Sequence, residues 1–127
     1  MGFILERAKT TSTPYVLVDE DKGYMVLEGR CFHENVGVFF KDITDWLDEY
    51  LKTDFRQLVF DNKISYFNSS TTKIMMTMLQ KMDRHASDTK KIIVNWVTTE
   101  DNEIMIECGE DFQEDLENLE FNLVLLD

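Results

Sequence analysis

Ile64-Ser-Tyr-Phe-Asn-Ser-Ser-Thr-Thr-Lys73 is the stretch in which this chain changes from a predicted strand to a predicted helix. The run 57–67 is apolar enough for a buried strand, and a helical pattern from Lys73 to Arg84 follows at once. A strand, an Asn-Ser-Ser-Thr cluster and a helix in this order place several hydroxyl groups at a helix N-terminus. Free backbone N–H groups and the positive end of the helix dipole lie there.

This helix N-terminus supports two hypotheses. Asn68 or Ser69 can cap the helix by accepting a hydrogen bond from a free N–H. The same end can also hold a phosphate, so the hydroxyl groups of the cluster are candidate phosphorylation sites. Asn, Ser and Thr are the usual N-cap residues, and on spacing alone the plain cap is favoured.

The composition predicts one acidic globular domain spanning residues 1–127. The chain has 13 Lys and Arg against 25 Asp and Glu, which gives a formal net charge of -12. Nucleic acids and anionic membrane surfaces are bound by basic faces, so this balance argues against both as partners. A protein partner with a basic patch remains a candidate.

Motifs for metal, cofactor or catalytic chemistry are missing from the sequence. Cys31 and Cys108 stand far apart without zinc-site spacing, which predicts two reduced thiols and no metal. The five glycines form neither a P-loop nor a dinucleotide fingerprint, so we expect no cofactor. Neither His33 nor His85 stands beside a nucleophile motif, and we therefore expect no enzymatic activity.

The location of the protein is predicted from two further absences. The N-terminus meets charged residues after only a few apolar ones, unlike a secretory signal. No apolar run is long enough to cross a bilayer. We therefore expect a cytoplasmic protein without membrane insertion.

The first half of the chain predicts a hairpin, a helix and a strand. Residues 1–13 resemble a polar lead-in before the single proline, and 15–18 and 24–29 read as two strands joined by a turn. Asn35 is a suitable N-cap for an amphipathic helix with a wide aromatic stripe. In the strand 57–67, alternation predicts one shared face for Leu58, Phe60, Ile64 and Tyr66.

The second half predicts a methionine-rich helix and two more strands. Met76 lies beside the apolar stripe of the helix and is expected to be exposed. Residues 91–97 resemble a central strand covered on both faces, and 103–108 a helical turn ending at Gly109. Residues 110–117 are acidic and expected to be solvated, and 121–126 form a final strand. The order β-β-α-β-α-β-(α)-β predicts an α/β fold with a mixed, mostly parallel sheet packed with helices.

Four blocks of the sequence together resemble the SiaC family of bacterial regulatory phosphoproteins. They are Leu27-Glu-Gly-Arg-Cys-Phe-His-Glu-Asn35, Ile64-Ser-Tyr-Phe-Asn-Ser-Ser70, Val94-Asn-Trp-Val97 and Glu107-Cys-Gly-Glu-Asp-Phe112. The resemblance runs in order over roughly Tyr15 to Asp127. It implies a STAS-like fold of the anti-sigma-factor-antagonist type and a partner-switching role.

The resemblance also implies a site of modification. In this family the phosphorylated hydroxyl directly follows the Asn of the second block and is usually that of a Thr. In this chain the position is Ser69, after Asn68, with Ser70, Thr71 and Thr72 as neighbouring alternatives. The partners that the resemblance implies are a Ser/Thr kinase, a PP2C-like phosphatase and a diguanylate cyclase as the regulated enzyme.

A partner is expected to dock on the segment around the modified residue. We predict that Tyr66, Asn68, Ser70 and Lys73 form this partner-binding lip, with Lys63 and Lys73 positioned to steady a phosphate. A phosphate adds about −1.5 to −2 charge and three strong acceptors, so it would disrupt a complementary partner surface.

The main alternative is a constitutive interaction module. In that hypothesis the hydroxyl cluster is only a helix cap, and an exposed face around Met76 mediates contacts between copies. Either hypothesis is compatible with a monomer or a weak dimer.

Overall fold

The structure is a computed structural model that describes residues 2–127. Its element order is β-β-β-α-β-α-β-α-β, which confirms the predicted α/β class. The strands and helices are β1 Ile4–Arg7, β2 Tyr15–Asp19, β3 Tyr24–Cys31, α1 Val36–Tyr50, β4 Gln57–Phe67, α2 Ser69–His85, β5 Lys91–Thr99, α3 Glu103–Glu114 and β6 Glu120–Leu126.

The six strands lie in the sheet in the order of the chain. β2 pairs antiparallel with both β1 and β3, and β3, β4, β5 and β6 are parallel. Each parallel connection contains one helix, and each crossover steps in the same direction across the sheet. Right-handed crossovers that all step the same way place their helices on one face of the sheet. The molecule therefore has two layers, helices over a sheet.

One row of paired residues marks the face that the helices cover. It runs across all six strands through Arg7, Val16, Leu27, Asn62, Trp96 and Leu123. At one end Arg7 donates to the Phe39 carbonyl of α1 at 3.0 Å, and near the other Trp96 Nε1 donates to the Met105 carbonyl of α3 at 2.9 Å. The main core lies between this face and the helices.

The opposite face of the sheet carries a polar network instead of helices. Asp61 accepts hydrogen bonds from the Tyr24 hydroxyl at 2.7 Å and from Asn95 Nδ2 at 2.8 Å. Burial and the bond to Asp61 raise the pKa of Tyr24 to about 12. Residues of β5 alternate between buried and half-buried, so the prediction that both of its faces are covered is wrong. The half-buried residues of β5 lie on this open face, which no helix within residues 2–127 covers.

The first strand is absent from the predicted order. Residues 2–13 lie in the segment expected to be a polar lead-in, yet Ile4–Arg7 forms β1 and pairs antiparallel with β2. Arg7 forms an ion pair with Asp42 of α1, and Phe3 stacks on Trp46 with ring centroids 6.2 Å apart. These contacts with α1 are made over long sequence separations, so the local polar pattern did not indicate the strand. Met1, also part of the predicted lead-in, lies outside the described residues.

Helix α3 is longer than predicted because Gly109 does not end it. A Cβ atom at Gly109 would lie 2.6 Å from Cδ1 and 2.8 Å from Nε1 of Trp96. The glycine therefore lets the helix backbone approach the indole ring, and the helix continues to Glu114. Phe112 is buried in this continuation, so the acidic stretch is half of an amphipathic helix.

Two further residues at the core are Met76, which was expected to be exposed, and the buried Asn62. Met76 is half-buried and packs against the core, so the prediction that it is exposed is wrong. Asn62 is 0% exposed, and neither polar atom of its side chain has a hydrogen-bond partner within residues 2–127. An unpaired buried amide is costly, and Asn62 lies between Leu27 and Trp96 in the sheet.

Candidate functional site

A β-bulge shapes the end of β4. Gly29 pairs with Ile64 and Arg30 with Tyr66, so Ser65 is the extra residue, and its hydroxyl donates to the Gly29 carbonyl at 3.2 Å. A bulge reverses the alternation of the residues that follow it. Tyr66 is 44% exposed as a result, and the prediction that it shares the buried face of Ile64 is wrong.

The N-cap of α2 is Asn68. Its Oδ1 accepts from the backbone N–H of Thr71 at 3.0 Å and from the Thr71 hydroxyl at 2.7 Å. Its own N–H donates to the Cys31 carbonyl at 3.2 Å, which ties the start of the helix to the end of β3. The structure thus decides between the two predicted caps, and Ser69 is the first residue of the helix rather than its cap.

The four candidate hydroxyl groups differ in accessibility. The side chains of Ser69 and Ser70 are exposed. Thr71 is 0% exposed, and its hydroxyl is held between Asn68 and Cys31. Thr72 is half-buried and donates to the Asn68 carbonyl at 3.1 Å. A modifying enzyme can therefore reach Ser69 and Ser70 in the folded protein, whereas Thr71 is enclosed.

A groove of about 320 Å³ runs between α1 and α2 beside this helix start. Its lining combines apolar, hydroxyl and basic side chains: Gly37, Phe40, Thr44, Lys73, Ile74, Thr77 and Lys81. Lys81 is paired with Asp48 at 2.8 Å, whereas Lys73 forms no ion pair with any residue in the range 2–127. Of the predicted lip, Lys73 lies in the groove, and Ser70 precedes it by one turn on α2.

At Tyr66 the predicted lip joins a cluster whose other members, Arg30 and Phe32, were not predicted from the sequence. The Arg30 guanidinium lies 5.0 Å from the ring centroid of Phe32 and 6.0 Å from that of Tyr66. The two rings meet edge to face with centroids 6.2 Å apart. Exposed Arg and aromatic side chains are typical of binding hot spots. The alternation of apolar residues in β4 did not indicate this cluster, because it predicts Tyr66 on the face of Ile64 and the bulge at Ser65 exposes Tyr66 instead.

Lys63 does not lie beside the start of α2, where it was predicted to steady a phosphate. In the register of the parallel strands β3 and β4, Lys63 lies opposite Glu28, and its side chain is on the open face of the sheet. The helices cover the opposite face, so Lys63 and the start of α2 are separated by the sheet. A larger hollow of about 640 Å³ beside Tyr15 and Glu28 also lies on the open face and contains none of the predicted site residues.

Neither cysteine is activated. Burial raises the pKa of Cys31, an effect that a hydrogen bond from Thr71 partly opposes. Burial, with a smaller contribution from the Asp111 charge, raises the pKa of Cys108 to about 11. Both cysteines are free thiols. Thiolate is the nucleophile, so these thiols are poorly suited to nucleophilic chemistry near neutral pH.

Residues 2–127 contain neither a cluster of metal-ligating side chains nor a membrane-spanning helix. No three His, Cys, Asp or Glu side chains lie close enough together to hold a metal ion in that range. None of the helices described there is long and apolar enough to cross a membrane.

The comparisons with known proteins give similar chains in Pseudomonas aeruginosa. An uncharacterized protein of strain UCBPP-PA14 is 29% identical over 106 residues, which cover 84% of this chain and 84% of that protein. The structure of SiaC matches with a TM-score of 0.89 at 25% identity, covering 98% of this chain and 100% of that one. A chain in the crystal structure of the diguanylate cyclase SiaD in complex with its activator SiaC matches with a TM-score of 0.89 at 27% identity, covering 96% and 99%.

A family match extends over almost the whole sequence. Residues 7–126 match the family described as SiaC family regulatory phosphoprotein. The match includes all four blocks on which the resemblance was based, and the resemblance is confirmed. This protein belongs to the SiaC family of regulatory phosphoproteins.

Proposed function

We propose that this protein is a non-catalytic cytoplasmic switch that binds and regulates a diguanylate cyclase, and that a phosphate on Ser69 abolishes the binding. A Ser/Thr kinase would add the phosphate and a PP2C-like phosphatase would remove it. The observation that carries the proposal is that Ser69 is exposed at the first position of α2 while Asn68 caps the helix. Ser69 is therefore available for modification without loss of the cap.

The fold tolerates a phosphate at this position. Negative charge at a helix N-terminus is favourable by about 0.3–1 kcal/mol because it faces the positive end of the dipole. Ser69 points away from the core, so the added group displaces no packed side chain. We expect the phosphorylated protein to keep its structure and to change its surface charge only.

A docked partner, by contrast, meets a new dianion. The predicted lip runs from Tyr66, which belongs to the Arg30–Phe32–Tyr66 cluster, to Lys73, which lines the α1–α2 groove, and these surfaces together offer apolar, aromatic and basic contacts. An acidic partner segment that fits these cations would be repelled by a phosphate placed between them. Unfavourable charge contacts of this kind cost several kcal/mol, which is sufficient to dissociate a complex.

Two features support a regulatory rather than a catalytic role. Solved SiaC of Pseudomonas aeruginosa is described as the activator of the diguanylate cyclase SiaD, with which it forms a complex. The strands also follow the order of the chain, so the sheet lacks the reversal of strand order at which open α/β sheets bind substrates.

The first experiment is peptide mass spectrometry of the protein isolated from its own host. The tryptic fragment Ile64–Lys73 contains all four candidate hydroxyl groups. We expect a single phosphate on Ser69. A fragment that stays unmodified under several growth conditions would contradict the switch and favour the constitutive module.

The second experiment measures binding to the diguanylate cyclase of the same host that is most similar to SiaD. We expect Ser69→Ala to bind like the wild type and Ser69→Asp to bind at least about tenfold more weakly. Ser87→Asp is a matched control, since it adds the same charge in the exposed loop beyond the other end of α2. Equal binding of Ser69→Asp and the wild type would refute the proposal.

A further inference from the structure

We propose that Lys73 is the side chain that pairs with a phosphate on Ser69, so that phosphorylation also withdraws the Lys73 ammonium group from the α1–α2 groove. This inference rests on the proposed modification of Ser69. It assigns Lys73 two alternative positions, in the groove when Ser69 is free and at the helix start when Ser69 carries a phosphate.

The helix geometry brings the two positions together. Ser69 and Lys73 are four residues apart on α2, and both are exposed. Side chains at this spacing are neighbours on a helix surface, and an acid that precedes a lysine by four residues has the favourable orientation. Helical side chains also tilt toward the N-terminus, which points Lys73 toward residue 69. A phosphate offers three acceptor oxygens to the ammonium group.

Lys73 is free to make this contact. Two other lysines on the helices are engaged: Lys41 of α1 pairs with Asp45 at 2.9 Å, and Lys81 of α2 pairs with Asp48 at 2.8 Å. Within residues 2–127 no carboxylate lies within ion-pair distance of Lys73. A phosphate on Ser69 can therefore recruit Lys73 without breaking an existing ion pair.

The other candidate cations are placed less well. Lys63 lies on the open face of the sheet, opposite the helices. The Arg30 guanidinium is stacked on Phe32 and Tyr66, and it would lose both contacts on moving to the start of α2. Because Lys63 is separated from the start of α2 by the sheet and Arg30 is held by two aromatic rings, Lys73 is the favoured partner of a phosphate on Ser69.

Pairing of Lys73 with the phosphate would change the charge of the α1–α2 groove. Lys73, Thr77 and Lys81 repeat every four residues along one stripe of α2, and all three line the groove with Ile74. When Lys73 turns to the phosphate, the groove loses its unpaired positive charge, and a dianion stands one turn beyond. A partner that contacts this groove with an acidic side chain then loses an attractive contact and gains a repulsive one.

The test is a ³¹P NMR titration of the full chain with phosphoserine installed at position 69 during translation. The second pKa of a free phosphoserine is about 6, and a neighbouring cation lowers it. We expect Lys73→Gln to raise the pKa of the phosphate by about 0.4 of a pH unit, and Lys73→Arg to leave it low. The difference between wild type and Lys73→Gln should shrink at 1 M salt, which screens exposed charge pairs.

Arg30→Gln is the matched control, because it removes one positive charge on the other side of the lip. We expect it to leave the phosphate titration unchanged. The ¹³C-methyl signal of Ile74 gives a second readout: phosphorylation should shift it in the wild type and much less in Lys73→Gln. The inference is overturned if the Lys73→Gln titration superimposes on the wild type, or if Arg30→Gln raises the pKa more than Lys73→Gln does.

The two proposals fail in different experiments. A phosphorylated protein that still binds the cyclase contradicts the proposed switch, whatever the NMR titration gives. An unchanged titration in Lys73→Gln contradicts only the pairing of Lys73.

Discussion

Replacing Gly109 by alanine is expected to destabilise this protein, although the same change stabilises the interior of most helices. The new Cβ would lie 2.6 Å from Cδ1, 2.8 Å from Nε1 and 3.1 Å from Cγ of Trp96. The indole ring cannot withdraw freely, because Trp96 is 0% exposed and its Nε1 donates to the Met105 carbonyl at 2.9 Å. Either α3 must move away from the sheet or the ring must give up this bond.

The magnitudes decide which effect is larger. Alanine gains about 1 kcal/mol over glycine in helix propensity. Overpacking a core costs about 1–3 kcal/mol, and leaving the buried indole N–H without an acceptor costs about 1–3 kcal/mol more. The net result of the three effects is a loss of about 1–5 kcal/mol in the free energy of unfolding.

A second helical glycine provides the control. At Gly37, in the first turn of α1, an added Cβ would meet only Asn35 Oδ1 at 3.7 Å, which is an ordinary contact. Gly37→Ala should therefore keep the propensity gain and stabilise the protein by up to about 1 kcal/mol. The difference between the two variants reports the contact with Trp96.

Urea unfolding at equilibrium, followed by circular dichroism and tryptophan fluorescence, measures both variants. We expect the midpoints to shift in opposite directions, with similar slopes. A Gly109→Ala protein as stable as the wild type would refute the reasoning, since it would mean that α3 adjusts to the new methyl group at no cost.

Three other predictions concern stability and thiol chemistry. Asn62→Val replaces an unpaired buried amide in a strand by a β-branched apolar side chain with one heavy atom fewer, so it should raise the free energy of unfolding by about 1 kcal/mol; a destabilised variant would indicate that the amide has a partner in solution. Asn68→Ala should cost about 1 kcal/mol because it removes the N-cap of α2, whereas Ser69→Ala should leave the same urea midpoint unchanged; equal losses would contradict the assignment of the cap. Because the pKa of Cys108 is raised to about 11, the folded state holds this proton more tightly than the unfolded state, whose thiol has its ordinary value of 9.0. This contribution to stability is complete below about pH 9 and is lost as the pH rises through 11. The rate of alkylation of Cys108 should therefore rise with a midpoint near pH 11, and a midpoint at pH 9 or below would contradict the raised pKa.

The helix N-terminus that carries the candidate site could be located from the sequence because its signals are local. A hydroxyl cluster between a strand pattern and a helix pattern marks a helix N-terminus wherever it occurs, since the free N–H groups belong to the backbone. The family blocks identified the same segment. Which side chain caps the helix could not be predicted, because Asn68 and Ser69 both suit an N-cap. Asn68 occupies it, and its N–H is bonded to the Cys31 carbonyl of a distant strand.

The surroundings of the site depend on contacts between distant segments. The exposure of Tyr66 follows from a bulge that exists only where β4 pairs with β3, and the stacking of Arg30 on Tyr66 follows from the same pairing. The separation of Lys63 from α2 follows from the face on which the sheet places it. None of these positions is set by its neighbours in sequence.

The α/β class, the amphipathic α1 and α2 and the hydroxyl cluster at the start of α2 could all be predicted from local patterns, because periodicity and capping act over a few residues. Three other features follow from contacts between distant segments: Ile4–Arg7 is a strand, Gly109 lies within a helix against Trp96, and Ser69 and Ser70 are accessible while Thr71 is enclosed. The physical reason is the same in each case. Strand pairing, close packing and burial are properties of two surfaces in contact, and the second surface lies far away in the chain.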